Sequence, residues 1–182
     1  MIDAETVDLD FEFNEEEKGH ECGIVGVCAE GVDVAALSYN ALFALQHRGH
    51  DSAGVAVMAT DGSIMCTKGL GTVEKGLREG DALKGLPAGS IASGQVRYST
   101  NETISDESKF NAAQPLLGGI GRSSFALSHN GHLVNFSELR QGLPKPEDCY
   151  TDSQLMTCMI DREVKSGADL YEGIVSTTKQ LN

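Results

Sequence analysis

The chain has 182 residues, of which 40% are hydrophobic and 23% charged, and 27 acidic against 14 basic residues give a formal net charge of −13. This size and composition are typical of one soluble globular domain with a hydrophobic core. The acidic balance argues against a nucleic-acid partner, because contacts to phosphates need basic residues. No apolar run reaches the roughly 18 residues that a membrane span needs, and no secretory signal is recognisable. We therefore expect a cytoplasmic protein with no membrane partner.

The chain begins with an acidic leader, residues 1–21, which contains nine acidic residues and one lysine. It has few bulky apolar residues and no helical or strand periodicity, so it is expected to pack poorly. Composition alone favours an ordinary disordered tail over a segment with a function of its own.

Strands dominate the predicted elements of the first two thirds of the sequence. The sequence predicts a strand at 23–28, a helix at 34–45 capped by Asp33 and ended by Gly49, and strands at 52–59 and 64–67 joined by an Asp61-Gly62 turn. It then predicts a short helix at 72–77, a Gly/Pro-rich loop at 80–89, a strand at 91–98, a polar stretch poor in strands at 101–122, and a strand at 125–128.

Helices dominate the last third. Capping-box patterns begin at Asn135 and Thr151, where a polar side chain is followed three residues later by Glu or Gln. The helix after Thr151 repeats its apolar residues at helical spacing and is expected to cover a sheet. A last amphipathic helix is predicted at 169–180. Strands followed by helices indicate an α+β fold with layered sheets.

The five cysteines are an odd number and lack the spacing of a zinc site, so reduced thiols and no metal site are expected. They are Cys22, Cys28, Cys66, Cys149 and Cys158. Cys22 stands where the acidic leader meets the first strand. A lone cysteine there is ordinarily a core residue. If the peptide bond between Glu21 and Cys22 is cut, however, the new α-amine, with an ordinary pKa of about 7.7 to 8.0, can act as a base toward its own thiol.

Three further places have side chains suited to chemistry. Asn130 can offer its side-chain amide and Gly131 its backbone N–H to an oxyanion, although Asn-Gly alone is more typical of a type I′ hairpin turn. Arg97, at a strand end, can grip a carboxylate or be an ordinary surface cation. Asp152 can hold an ammonium group or simply complement the dipole of its helix.

Six motifs that contain these residues occur in a fixed order. They are Glu21-Cys22-Gly23-Ile24-Val25-Gly26-Val27, Leu45-Gln46-His47-Arg48-Gly49-His50-Asp51-Ser52-Ala53-Gly54, Gly94-Gln95-Val96-Arg97-Tyr98-Ser99-Thr100, Gln114-Pro115-Leu116, Leu127-Ser128-His129-Asn130-Gly131-His132-Leu133-Val134-Asn135 and Thr151-Asp152-Ser153. From residue 21 to about 160, the set resembles the glutamine amidotransferases of the N-terminal-nucleophile class. Within that class the Leu-Gln-His-Arg-Gly and Val-Arg-Tyr forms resemble the amidophosphoribosyltransferases.

The resemblance implies a four-layer αββα sandwich of the N-terminal-nucleophile hydrolases, with glutamine as its substrate. Cys22 would be the nucleophile, and Asn130 and Gly131 would stabilise the oxyanion. Arg97 would grip the α-carboxylate of glutamine and Asp152 its α-ammonium, with Thr100 nearby. The acidic segment 1–21 would be a propeptide whose removal frees the amine of Cys22.

The sequence also departs from the family. His50 and His132 stand where the family usually has Gln and Asn, and Gln95 stands where it often has His. The sequence is expected to lack the phosphoribosyltransferase domain of the family, and the glutaminase domain, 22–182, is expected to lack later strands and to expose apolar surface. No cofactor is expected in this segment. The resemblance implies Mg²⁺, an iron–sulfur cluster in some members and a homo-oligomer only for a full-length enzyme. A different amidotransferase subunit and an inactive remnant are the alternatives.

Overall fold

The computed structural model describes residues 22–98 and 105–181. The predicted leader, 1–21, lies outside the described residues. The strands are Gly23–Cys28 (β1), Ser52–Ala59 (β2), Ile64–Leu70 (β3), Gly89–Arg97 (β4), Leu116–Gly118 (β5) and Phe125–Leu127 (β6). The α-helices are Val34–Ala44 (α1), Val73–Gly76 (α2), Asp106–Ala112 (α3), Phe136–Gln141 (α4), Asp152–Lys165 (α5) and Leu170–Thr178 (α6). None of these helices is long and apolar enough to cross a membrane.

The larger sheet is antiparallel, with strand order β1-β4-β2-β3. Because side chains alternate across a strand, Ala92 and Val96 of β4 point to one face, where they pack with Leu42 of α1 in the main hydrophobic core. Helix α1 begins as predicted, since the Asp33 carboxylate accepts the Ala36 N–H at 3.0 Å. One face of the sheet is therefore covered by a helix.

The opposite face of the larger sheet meets a second, two-stranded sheet formed by β5 and β6. The hydroxyl groups of Ser93 on β4 and Ser128 after β6 lie 2.9 Å apart across this interface. On the outer side of the small sheet, Phe125 packs with Ile160 and Val164 of α5. The layers are thus α1, larger sheet, smaller sheet and α5, which confirms the predicted αββα arrangement.

The smaller sheet covers only part of the larger one. Toward the β1 edge, on the face turned to the second layer, Ile24 is 41% exposed and Ile91 is 42% exposed. In contrast, Gln95 on the same face of β4 is 1% exposed. On this face the second layer therefore covers β4 at Gln95 and leaves Ile24 and Ile91 partly exposed.

The stretch 101–122 was predicted to be polar and poor in strands, and no helix was predicted within it. Its described part, from 105 onward, contains α3 and β5. Strand β5 has three residues, too few to show a period of two, and α3 is a seven-residue helix capped by the Ser105 hydroxyl. Both are stabilised by tertiary contacts that the local sequence does not reveal.

Two smaller predictions also need correction. The Asn135 side chain does not cap α4 but donates to the Gln180 carbonyl oxygen at 2.8 Å, since the chain end packs beside it. The loop expected at 80–89 contains a short 3₁₀ helix, Arg78–Gly85. The Thr151 capping box, by contrast, is confirmed, with Thr151 and Gln154 satisfying each other's backbone donors.

A pair of glycine substitutions tests the close contact between the sheets. Any Cβ at Gly54 would overlap the carbonyl oxygen of Gln114, whereas a Cβ at Gly26, on the same face of β1, would meet nothing within 4 Å. We expect Gly54→Ala to lower the free energy of unfolding by about 1–3 kcal/mol and Gly26→Ala to change it by less than about 1 kcal/mol. Urea denaturation of both variants measures this, and equal effects would contradict the packing described.

Candidate active site

Cys22 lies directly before β1 and is partly buried. Its carbonyl oxygen accepts two hydrogen bonds, one from Arg48 Nε at 3.1 Å and one from the Asn130 side-chain amide at 3.1 Å. Its thiol lies 3.8 Å from the Tyr98 carbonyl oxygen, just beyond the end of β4. The residue is thus held where the first sheet ends and the second sheet meets it.

Asn130 and Gly131 lie in the loop after β6. The hairpin interpretation is wrong, because β6 pairs with the preceding β5 and the described residues after it, 128–181, form no strand. A Cβ at Gly131 would lie 2.8 Å from Nε2 of His129, so this position suits glycine because a ring packs against it. The loop brings the predicted oxyanion donor Asn130 to Cys22 across 108 residues of sequence.

Asp152 is the first residue of α5, and its side chain is 16% exposed. Its Oδ2 accepts the Leu133 N–H at 2.9 Å and lies 3.3 Å from Nδ1 of His132. The carboxylate therefore ties the start of α5 to the loop that carries Asn130. This contact was not foreseen, because it joins a loop to a helix and follows no periodicity.

His129 is the residue of this loop whose titration is shifted. Burial lowers the pKa of its imidazole, and the nearby Asp152 carboxylate opposes that effect. A lowered pKa keeps the ring neutral at pH 7. Its Nδ1 lies 3.2 Å from the Ser153 hydroxyl, so a neutral ring can share one proton with that group.

Arg97 is the last residue of β4 and is partly buried. Since Gly23 pairs with Val96, Arg97 ends its strand beside the start of β1. Its position in the pleat puts it on the same face as Gln95, which is turned toward the second sheet. Arg97, Cys22 and Asn130 thus share one end of the sandwich. Thr100 lies outside the described residues.

Comparisons with known proteins agree on one family. Amidophosphoribosyltransferase of Synechocystis is 37% identical over 159 residues, which is 85% of this chain and 31% of the relative. That of Synechococcus elongatus is 37% identical over 181 residues, 96% of this chain and 35% of the relative. No protein-family model matches. The solved structure of glutamine phosphoribosylpyrophosphate amidotransferase from Bacillus subtilis, complexed with ADP and GMP, superposes with a TM-score of 0.69 at 28% identity, over 87% of this chain and 33% of that one.

Over most of its length, the chain is similar to amidophosphoribosyltransferases. It spans about one third of the length of the relatives it matches. The family resemblance and the sandwich fold inferred from the sequence are confirmed.

Two side chains of this site had no role assigned from the sequence. Arg48 holds the Cys22 carbonyl. Gln114 is 4% exposed, and its Oε1 accepts the His129 N–H at 2.7 Å. Both lie inside the motifs that carry the family resemblance, and this position was the only indication in the sequence that they belong to the site. What each one touches was not predictable.

The other cysteines are not part of this site. Cys66 faces the interface between the sheets and Cys149 is fully buried near α5. Burial raises the pKa of each thiol to about 11. Cys28 and Cys158 are exposed. Within the described ranges, no cluster of His, Cys, Asp and Glu side chains is arranged to hold a metal ion.

Alkylation tests this division of the thiols. At pH 8 a thiol of pKa about 11 is ionised in roughly one molecule per thousand, and the thiolate is the reacting form. We expect iodoacetamide to modify Cys28 and Cys158 at pH 8 while Cys66 and Cys149 stay unmodified until the pH approaches 11 or urea is added. Peptide mass spectrometry gives the extent at each position. Rapid labelling of Cys66 in the folded protein at pH 8 would contradict its burial.

Proposed function

We propose that this chain is the glutamine-hydrolysing part of an amidophosphoribosyltransferase. The observation that carries the proposal is the 3.1 Å contact between the Asn130 amide and Cys22, since it puts an oxyanion donor beside the one cysteine that can become an N-terminal nucleophile. The family of its relatives supports the same chemistry. The fold supports it as well, because Cys22 at the start of β1 and Asn130 after β6 come from different sheets and meet at one end of the sandwich.

In the proposed reaction, the Cys22 thiol gives its proton to its own α-amine, and the sulfur attacks the side-chain amide carbon of glutamine. The negative charge that develops on the amide oxygen is stabilised by the Asn130 amide and the Gly131 N–H. As the C–N bond breaks, the ammonium of Cys22 returns the proton and ammonia leaves. Water then attacks the thioester, releasing glutamate and the thiol. These steps use protein groups and water, so we propose no cofactor for them.

Glutamine is recognised in this proposal by its α-substituents. Arg97 pairs with the α-carboxylate and Asp152 with the α-ammonium, while Thr100 contributes nearby. Asp152 is suited to this task because it is mostly buried and already oriented by the Leu133 N–H. A carboxylate held in this way loses little freedom when it binds a cation.

The amine of Cys22 requires that the bond after Glu21 be cut. We therefore propose that residues 1–21 are a propeptide and that 22–182 are the amidotransferase part. Support comes from the acidic, weakly apolar composition of the leader and from the position of Cys22 immediately before β1. The ammonia would pass to a phosphoribosyltransferase domain, which forms 5-phosphoribosylamine for purine synthesis in the cytoplasm. The relatives, about three times as long, have room for such a domain, and we expect the full enzyme, a homo-oligomer, to need Mg²⁺ there.

Replacement of the nucleophile tests the proposal. We expect Cys22→Ala to reduce glutamate release from glutamine by at least about a thousand-fold, because a nucleophile cannot be replaced by the remaining groups. The matched control is Cys28→Ala, which changes an exposed cysteine at the far end of β1 and should keep activity within about twofold of the unmodified protein.

Intact mass after treatment with a glutamine-analogue electrophile gives an independent measurement. The proposal predicts loss of residues 1–21 and one label, on Cys22. A protein that keeps its leader, takes no label and releases no glutamate would favour the inactive remnant. Hydrolysis that survives Cys22→Ala would contradict the assigned nucleophile.

The role of Asp152 has its own test. We expect Asp152→Asn to raise KM for glutamine at least about tenfold, because the ammonium loses its counter-charge while the nucleophile is unchanged. The control is Asp106→Asn, which removes an exposed carboxylate from the first turn of α3, and it should leave KM unchanged. Steady-state kinetics compare the three proteins. An unchanged KM in Asp152→Asn would remove Asp152 from the binding site.

A further inference from the structure

Two buried glutamine side chains hold the same backbone residue from opposite directions. His129 donates its N–H to Gln114 Oε1 at 2.7 Å, and its carbonyl oxygen accepts from Gln95 Nε2 at 3.1 Å. Gln95 is 1% exposed and Gln114 is 4% exposed. In the interior between two sheets, such bonds are shielded from competing water, so they define the backbone position well.

Gln95 lies on an inner strand of the larger sheet. It lies on β4, where it pairs with Ile24 of β1 on one side and with Gly54 of β2 on the other. Strand β4 is therefore a central strand, and two residues beyond Gln95 it ends at Arg97. A side chain on such a strand is a firm support for a loop of the opposing sheet.

The amide nitrogen of Gln114 extends the network toward Asp152. Gln114 Nε2 donates to the Ser153 hydroxyl at 2.8 Å, and that hydroxyl also lies 3.2 Å from Nδ1 of His129. Ser153 follows Asp152 at the start of α5. Gln114 thus joins the oxyanion loop to the helix end that carries the proposed ammonium-binding residue.

The chemistry of Gln95 points to a function rather than to packing alone. Its Oε1 is buried and has no hydrogen-bond partner among the described residues. An apolar side chain of similar size would fill the interface without burying an unpaired acceptor. The group that distinguishes glutamine here is its N–H donor, and that donor contacts the carbonyl of the peptide bond leading into Asn130.

We infer that Gln95 and Gln114 are positioning residues that hold the His129–Asn130–Gly131 segment in the geometry of the oxyanion hole. The inference rests on the proposed glutaminase function. Gln95 holds the carbonyl oxygen of the peptide bond between His129 and Asn130. Gln114 holds the N–H of the peptide bond between Ser128 and His129. Neither side chain touches the substrate in this role. Both act through Asn130 and Gly131.

The kinetic test separates the two glutamines. Gln95→Met removes the donor at similar volume, and we expect kcat to fall at least about tenfold with KM within about threefold, because oxyanion donors act in the transition state. Gln114→Met should lower kcat and also raise KM, since it releases Ser153 beside Asp152. Ser93→Ala is the matched control, because Ser93 lies on the same face of β4 and bonds across the sheets to Ser128 rather than to His129. It should keep kcat within about twofold.

Two further variants separate positioning from stability. Gln95→His retains an N–H donor at the same place and should recover part of the lost kcat, and thermal melting shows which variants fold. In an Asn130→Ala background, Gln95→Met should cost less than about threefold, because the group it positions is already gone. A purely structural role predicts the same loss in both backgrounds.

The outcomes are distinguishable. An active protein whose folded Gln95→Met variant keeps its kcat, or loses the same factor with and without Asn130, would overturn the inference while leaving the proposed function intact. Absence of glutamine hydrolysis in the unsubstituted protein would contradict the proposed function and the inference together. A kcat loss that depends on Asn130 and is partly restored by Gln95→His would establish the positioning role.

Discussion

The carbonyl oxygen of Cys22 joins the start of the larger sheet to the loop that follows the smaller one, and the arrangement of the site depends on this contact. Arg48 approaches it from the chain segment after α1, and Asn130 approaches it from the loop after β6. Hydrogen bonds tolerate a few tenths of an ångström, so the contact from Asn130 requires one particular offset between the sheets. Catalytic geometry is similarly strict. The relative position of the sheets that packs the sandwich is therefore also the position that assembles the site.

Such an offset needs more than apolar contacts, since hydrophobic packing alone is non-directional. The interface between the sheets is in fact rich in polar bonds, such as those from Lys68 to the Ala113 carbonyl and from Gln95 to the His129 carbonyl. The strands of the small sheet have three residues each, so much of the backbone around them has no ladder partner. Side chains of the larger sheet supply those partners. A short sheet thereby gains a defined position.

The sequence was sufficient for elements with strong local signals. Helix α5 combines a capping box with apolar residues at helical spacing, and β1 is a short apolar run beside charge, so both were predicted with the correct starts. The three-residue β5 has no such signal. The family motifs identified Cys22, Asn130 and Asp152, but they did not reveal which residues touch. The contacts of Asp152 with His132 and Leu133 join a loop to a helix end, and only the tertiary fold determines them.

Asp152 also connects recognition with chemistry. Its Oδ2 holds the Leu133 N–H, three residues after Asn130, and the proposed contact with the substrate ammonium falls to Oδ1. Gln114 and Ser153 join the same helix end to His129. In the proposed reaction, the carboxylate that binds the ammonium thus belongs to the same hydrogen-bond network that holds the oxyanion donors. Binding of the α-substituents of glutamine then stabilises the loop that carries Asn130 and Gly131. Since this loop must stay in place during attack on the amide, part of the binding energy stabilises the transition state.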